Sequence, residues 1–307
     1  MKSVFAYEYR MSSCLRITDE DAADFLQSQF SNDLRPFCDG QITYGLWLDK
    51  KGRVFADSYI LCENGETFYA LSEHCDGDLI KEKLERHIIA DDVVVEKVDL
   101  DLCLALVGED VSDYLEKRGF LVPDKESYLK SEDLIIFQGR RSQLPSFELI
   151  PLSGRTAEIL GNIRNDINVR SVGEDWIHSQ RISAHSVLVP AEIGPSDLPA
   201  EGGLVPKAVS LEKGCFLGQE VIARMYNLGR PLRALHKVSG DGDIPHIPQK
   251  VFNADGKPVG ELRSAYMYDS GWFGIALLKI RYTEKERSGF CLEDGSAVIY
   301  GTPFNQK

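Results

Sequence analysis

Lys213-Gly214-Cys215-Phe216-Leu217-Gly218-Gln219-Glu220 is the stretch on which the reading of this chain turns. Two glycines bracket one thiol. Gly214 and Gly218 permit backbone angles that a Cβ disfavours, so the spacing predicts a tight loop with Cys215 at its tip. Beyond Gly218 the pattern becomes helical. Val221, Ile222, Met225 and Leu228 recur on one face, Glu220 and Arg224 stand four apart with the acid first, and Gly229 and Pro231 close the helix. A thiol just before a helix N-terminus, beside Lys213, sits where thiolate is favoured. On local features alone, a small buried hydrophobe explains Cys215 equally well.

Upstream, strands and helices interleave. A helix is expected over 20–30 with Phe25, Leu26 and Phe30 inward. Residues 41–62 read as a hairpin about the turn Asp49-Lys50-Lys51-Gly52. A strand at 67–71, a helix at 78–89 through Leu79, Ile80, Leu84 and Ile88, and strands at 93–95 and 100–107 follow. Helices at 109–119, 156–163 and 175–183 and strands at 134–137 and 147–151 complete this part. Hairpins mixed with helical crossovers predict α+β rather than a doubly wound sheet. Residues 184–212 are broken by Pro190, Pro195, Pro199 and Pro206, and both a functional loop and a surface excursion fit them. From about 234 only short strands remain, separated by Asp241-Gly242, Asp255-Gly256 and Asp294-Gly295, which predicts a small all-β barrel or sandwich. The expected division is 1–233 and 234–307.

The 307 residues suffice for two or three domains. With 35 basic and 48 acidic residues the net charge is −13, which argues against a non-specific grip on nucleic acid or an anionic membrane. No apolar run reaches membrane-spanning length, and the N-terminus is too polar for a signal peptide, so a cytoplasmic location is expected. Seven scattered cysteines make no CxxC and six histidines no HxxxH, so reduced thiols and no protein-built metal site are expected.

Other chemistry-bearing residues have two readings each. Asp57, on the return strand after Gly52, can hold an amine or amide; on spacing alone a solvent-facing strand acid is the commoner case. Arg181 and Glu201 flank the proline-rich region and can fix a ligand carboxylate or ring amide, or form ordinary ion pairs. Gln219 and Glu220 suit either a pocket wall or the start of a helix. Trp47, Trp176 and Trp272 suit stacking on a planar ligand or core packing.

The octapeptide at 213–220 resembles the mark of the YgfZ family of folate-binding proteins, relatives of the aminomethyltransferase (T protein) of the glycine cleavage system. Its pattern is Lys-Gly-Cys-Tyr-x-Gly-Gln-Glu, with Phe216 here at the tyrosine. Asp21 to Gln29 with Ser31-Asn32-Asp33, Leu48 to Val54 with Asp57, Arg181-Ile182, Pro199-Ala200-Glu201, Val259 to Ser264 and Gly274 to Leu277 resemble further family segments. The resemblance implies folate-binding α+β modules with ferredoxin-like elements, a C-terminal antiparallel β-barrel, and a central opening for tetrahydrofolate or a one-carbon derivative. It implies folate-dependent support of iron–sulfur cluster assembly or repair in client enzymes, tRNA-modifying ones among them. Client enzymes or assembly proteins are then the partners, with no direct nucleic-acid or membrane binding. Cys215, Lys213 and Asp57 are the implied working residues. Asp57, Arg181, Glu201, Gln219, Glu220 and Arg224 are the implied folate contacts. The transferase relatives carry paired aspartates where this chain has Ala56-Asp57, and a glutamate where it has Ser183. His185 and Val187 replace a glycine and a proline found in many members. The lost acids count against aminomethyl transfer. The alternative is a folate-dependent one-carbon transferase or demethylase in which Asp57 orients an amine.

Overall fold

The computed structural model describes residues 4–131, 134–152, 154–284 and 289–304. In chain order these form β1 (Val4–Tyr9), β2 (Ser13–Thr18), α1 (Ala22–Gln29), β3 (Ile42–Leu48), β4 (Val54–Cys62), β5 (Phe68–Ser72), α2 (Gly77–Glu85), β6 (Val94–Lys97), β7 (Cys103–Val107) and α3 (Val111–Lys117). Then come β8 (Tyr128–Lys130), β9 (Leu134–Gln138), β10 (Ser146–Pro151), α4 (Gly154–Arg164), β11 (Val169–Ser171) and α5 (Glu174–Ser183). A 3-10 turn at Pro199–Gly202 leads to α6 (Val205–Ala208), α7 (Gln219–Leu228), β12 (Arg233–Asp241), β13 (Gln249–Phe252), β14 (Pro258–Tyr268) and β15 (Gly271–Lys279). The last elements are α8 (Ile280–Thr283), β16 (Phe290–Cys291) and β17 (Ala297–Pro303). The chain divides into one unit of Met1–Trp47, Ala56–Ser186 and Glu212–Leu217, and another of Leu48–Phe55, Val187–Leu211 and Gly218–Lys307.

The first unit is built on two sheets, ordered β11-β1-β7-β10-β9-β8 and β3-β4-β5-β2-β6. Strand period decides how they stack, because alternate side chains point to opposite faces. Leu104 and Leu106 of β7 join Leu134 and Ile136 of β9 in one apolar cluster with Val111 and Leu115 of α3 and Leu160 of α4. Their neighbours Cys103, Ala105, Ile135 and Phe137 join Cys14, Leu61 and Leu71 of the other sheet in a second cluster. The six-stranded sheet thus has helices on one face and the five-stranded sheet on the other. Strands buried on both faces read as continuous apolar runs, which is why the sequence predicts strands at 100–107 and 134–137, the first of which begins at Cys103. In α2, Ile80 and Leu84 are buried, but Leu79, expected inside, is exposed.

In the second unit β12-β15-β14-β13-β16-β17 close into a barrel around Val238, Val251, Leu262, Ala276, Leu278 and Val298. Closure bends β14: its register with β15 shifts between Leu262 and Ser264. Gly274 faces that bulge, and a Cβ there would collide with the Ser264 carbonyl oxygen.

The units do not follow the expected break at 233/234. Asp197, which is fully buried, receives Arg233 Nη2 at 3.0 Å and pairs with Arg263 Nη1 at 3.4 Å, while the Val54 N–H donates to its backbone carbonyl at 3.0 Å. Glu192 accepts from Ser264 Oγ at 2.5 Å. These charged ties bind 187–211 and the 48–55 turn to the barrel strands. Composition along the chain gives no sign of them.

Candidate functional site

Period-two alternation on β4 turns Asp57 and Tyr59 to a half-buried face, while Ala56, Ser58 and Ile60 are buried. The Asp57 carboxylate is fixed on both oxygens. Tyr44 Oη of β3 donates to Oδ2 at 2.7 Å and Cys75 Sγ donates to Oδ1 at 3.3 Å. The Asp57 backbone is held as well, its carbonyl accepting from Ser72 Oγ at 2.6 Å. Burial pushes the Asp57 carboxyl above its usual value, with Arg140 and the two hydrogen bonds opposing it. Burial, then Asp57, raises the Cys75 thiol, so Cys75 stays protonated and serves as donor.

Arg140 and Arg141, in the turn between β9 and β10, are placed differently. The Arg140 guanidinium carbon lies 3.2 Å from the centroid of the Tyr44 ring, and Nε donates to Tyr59 Oη at 3.1 Å. That is its one hydrogen bond among the described residues, and it makes no ion pair among them. Arg141 is paired with acids: Nη1 meets Glu73 at 2.7 Å and Nε meets Glu148 at 2.8 Å, over the Tyr9 ring. Tyr9 Oη gives Glu148 a further hydrogen bond at 2.6 Å. Burial raises the Glu73 carboxyl, but Arg141 and His74 outweigh it and the net shift is downward.

Of the sequence-expected residues in this unit, Lys213 is buried, and its ammonium donates to the carbonyls of Phe30 at 2.7 Å and Asn32 at 2.9 Å. Burial lowers it to about 8. Lys213 is therefore spent on tying its loop to the end of α1, not on a thiolate. Cys215 is exposed, one residue after Gly214 at φ +90°. Phe216 is buried, and the Leu217 N–H donates to Ser28 O at 3.1 Å, so the chain is pinned on both sides of the open thiol. Arg181, on α5, is buried and donates through Nε to His178 Nδ1 at 2.6 Å and through Nη1 to Ser186 O at 3.2 Å. Burial, then Arg181, lowers His178 to about 3, which keeps that nitrogen an acceptor.

In the second unit Glu201 has a structural position. Arg233 grips both its oxygens at 2.7 and 2.8 Å, and Oε2 accepts the Leu198 N–H at 2.9 Å to cap the 3-10 turn. Gln219 is half-buried in the first turn of α7, while Glu220 and Arg224 are exposed and form no ion pair within 4.0 Å among the described residues. The expected i,i+4 pair is absent: both side chains stay in water, where such a contact gains a few tenths of a kcal/mol at most. Gly218 at φ +85° has no room for a side chain, since a Cβ would stand 2.6 Å from the Asp49 carbonyl oxygen. The helix start and the 49–52 turn are thereby locked together.

Sequence reasoning brought Asp57 forward but missed Tyr44, Tyr59, Cys75 and Arg140 around it. Tyr44 and Tyr59 stood in recognised strands, and Gly139-Arg140-Arg141 after an apolar strand was the available signal for the arginines. All seven cysteines are free thiols. Among the described residues no three His, Cys, Asp or Glu side chains group as a metal site, and no helix is long and apolar enough to cross a membrane.

A family model described as the GCVT N-terminal domain matches residues 2–126. The aminomethyltransferase of Staphylococcus carnosus (strain TM300) is 25% identical over 282 residues, covering 88% of this chain and 77% of its own. The tRNA-modifying protein YgfZ of Colwellia psychrerythraea is 21% identical over 279 residues, covering 88% and 84%. The crystal structure of glycine cleavage system aminomethyltransferase T from Bartonella henselae superposes with a TM-score of 0.81 over 100% of this chain and 88% of that one, at 17% identity. The architecture is thus that of the aminomethyltransferases, with paired sheets and a closed barrel. Proteins named tRNA-modifying protein YgfZ from several bacteria also align with this chain over most of its length, at 21–25% identity.

Proposed function

We propose that the protein binds tetrahydrofolate, or a one-carbon derivative of it, and acts in the cytoplasm as an accessory to iron–sulfur cluster assembly or repair in client enzymes, tRNA-modifying ones among them. The observation that carries this reading is the Asp57 site. Its half-buried carboxylate has two fixed donors and acceptor capacity left over, beside two tyrosine faces and a guanidinium. That donor set fits a flat heterocycle with N–H groups. Asp57 would accept from an N–H of the ligand, with the Tyr59 ring beside it.

Cys215 is the thiol offered to a partner. It is exposed on a loop whose two ends are tied down, and no histidine is hydrogen-bonded to it among the described residues to act as a base. The cluster, when present, is cargo passing this thiol. The names of the YgfZ relatives support the link to tRNA modification. Of the other expected folate contacts, Arg181, Gln219, Glu220 and Arg224 remain candidates. Glu201 is the least suited, because Arg233 and the Leu198 N–H already use both its oxygens.

Two measurements test the reading. Equilibrium binding of tetrahydrofolate to the purified protein is expected. In a deletion strain, Cys215→Ala is expected to leave client cluster enzymes underactive; full rescue by that variant would remove the thiol from the account. The aminomethyltransferase likeness and the oriented Asp57 favour the second reading, a one-carbon transferase or demethylase. It requires methylene-tetrahydrofolate to form from an amine donor and to stop forming in Asp57→Asn. Ala56 and Ser183, at positions where the transferases carry acids, weigh against it.

A further inference from the structure

Arg140 is a cation in a half-buried setting with most of its donors unused. Its guanidinium is fixed by stacking on Tyr44 and by one bond from Nε to Tyr59 Oη. The two Nη groups donate to no described residue, and they are not sealed from solvent, because neither is among the buried polar atoms lacking a partner. Arg141, one residue on, shows what a structural arginine in this turn does: it pairs with two acids, Glu73 and Glu148. Five donors in a rigid plane match a carboxylate in bidentate fashion, and stacking on an aromatic face pre-orders that plane.

The same tyrosine ties Arg140 to the Asp57 site. Its ring lies under the guanidinium and its hydroxyl meets Asp57 Oδ2 at 2.7 Å. A positive fork and a carboxylate acceptor are therefore held by the same tyrosine, one at its ring and one at its hydroxyl, each with capacity left. A dianionic phosphate suits the fork but meets the Asp57 charge. A carboxylate with an N–H donor on the adjacent carbon satisfies both ends.

We infer that Arg140 and Asp57, bridged by Tyr44, form a two-ended receptor for an N–H/carboxylate unit, Arg140 taking the carboxylate and Asp57 the N–H. The chemistry is shared by a free α-amino acid and by the glutamyl end of a folate. The inference rests on reading Asp57 as ligand-facing, as in the proposed function. It adds that the site reads a carboxylate, and names the residue that reads it. Arg140, Tyr44, Cys75 and His74 are charged or titratable groups that act on Asp57.

The test is calorimetric titration of the whole chain with glycine, glutamate, p-aminobenzoylglutamate, the dimethyl ester of p-aminobenzoylglutamate, and a pterin lacking the tail. Wild type, Arg140→Gln and Arg140→Lys are compared, and thermal melts confirm folding. Binding of at least one free-carboxylate compound is expected, weakened tenfold or more by esterification and by Arg140→Gln. Arg140→Lys is expected to weaken it less, since the charge remains but the fork is lost. Glycine or glutamate binding identifies the free amino acid as the source; p-aminobenzoylglutamate binding alone identifies the folate tail. If no free-carboxylate compound binds at about 1 mM, or if the ester and Arg140→Gln bind as wild type does, the inference fails. Tetrahydrofolate is titrated in parallel. Its binding to wild type undiminished in Arg140→Gln would leave the proposed function standing and remove the receptor. Amino-acid binding without tetrahydrofolate binding would do the reverse.

Discussion

Two of the acid–arginine clusters among the described residues differ in one respect. Around Asp197 and Glu201 every charge is answered from within the chain: Arg233 and Arg263 fill the carboxylates, and a backbone N–H takes what remains. Around Asp57 the pairing is incomplete. Tyr44 and Cys75 steady the carboxylate, but Arg140 stacks on a ring instead of meeting an acid. A saturated cluster is a tie between segments, and an unsaturated one is held ready for something else. The difference does not lie in residue type, since both clusters are aspartate or glutamate with arginine. Local sequence therefore gave Glu201 and Asp57 the same candidacy.

The largest effect is expected where saturation is broken. Asp197→Ala leaves Arg233 and Arg263 facing an emptied buried site, and should cost about 3–5 kcal/mol. Denaturant unfolding would show it, with a melting point roughly 10 °C lower. A loss below about 1 kcal/mol would mean that the saturated cluster is not a tie.

Lys213 belongs to the saturated side, and Lys213→Met should cost about 1–3 kcal/mol by orphaning the carbonyls of Phe30 and Asn32. Its titration has a definite sign. Burial lowers the folded value to about 8, against an unfolded value near 10.5. Between these the unfolded chain holds more protons, so wild-type stability should rise relative to Lys213→Met as pH climbs from about 8 to 10.5. A flat difference across that window would contradict the buried ammonium.

At the unsaturated cluster stability and binding should separate. Asp57→Asn should change stability by less than about 1 kcal/mol. Because burial raises its folded value, Asp57 favours the folded state in its neutral form. That contribution is full below the unfolded value and fades as pH rises through the folded one. Ligand binding should run the other way, failing on acidification at a pH above the ordinary aspartate range, as the acceptor is protonated. His74→Gln serves as the control that isolates Asp57 in this profile. The smallest effect on folding belongs to Cys215→Ser, within about 0.5 kcal/mol because the thiol is exposed.

What was legible in the sequence follows the same division. Doubly buried strands such as 103–107, and the Asp-Gly turns of the barrel, announce themselves through local pattern. The loop at 213–218 did so through its glycines, both at positive φ. Its lysine misled, because adjacency to Cys215 suggested a partner while the side chain reaches back to Phe30 and Asn32. The break between units was misplaced because ion pairs spanning tens of residues, such as Asp197 with Arg233 and Arg263, have no periodicity to read. Arg140 went unseen for a related reason. Its meaning lies in the tyrosine beneath it and in the acid it does not have, and neither is a property of the turn that carries it.

The most direct test of the central claim is equilibrium binding of tetrahydrofolate to wild type and to Asp57→Asn, with melting points recorded on the same samples. Saturable binding to wild type, at least tenfold weaker in Asp57→Asn at an unchanged melting point, is the expected result. Equal binding by the two proteins, or none by wild type, would contradict it.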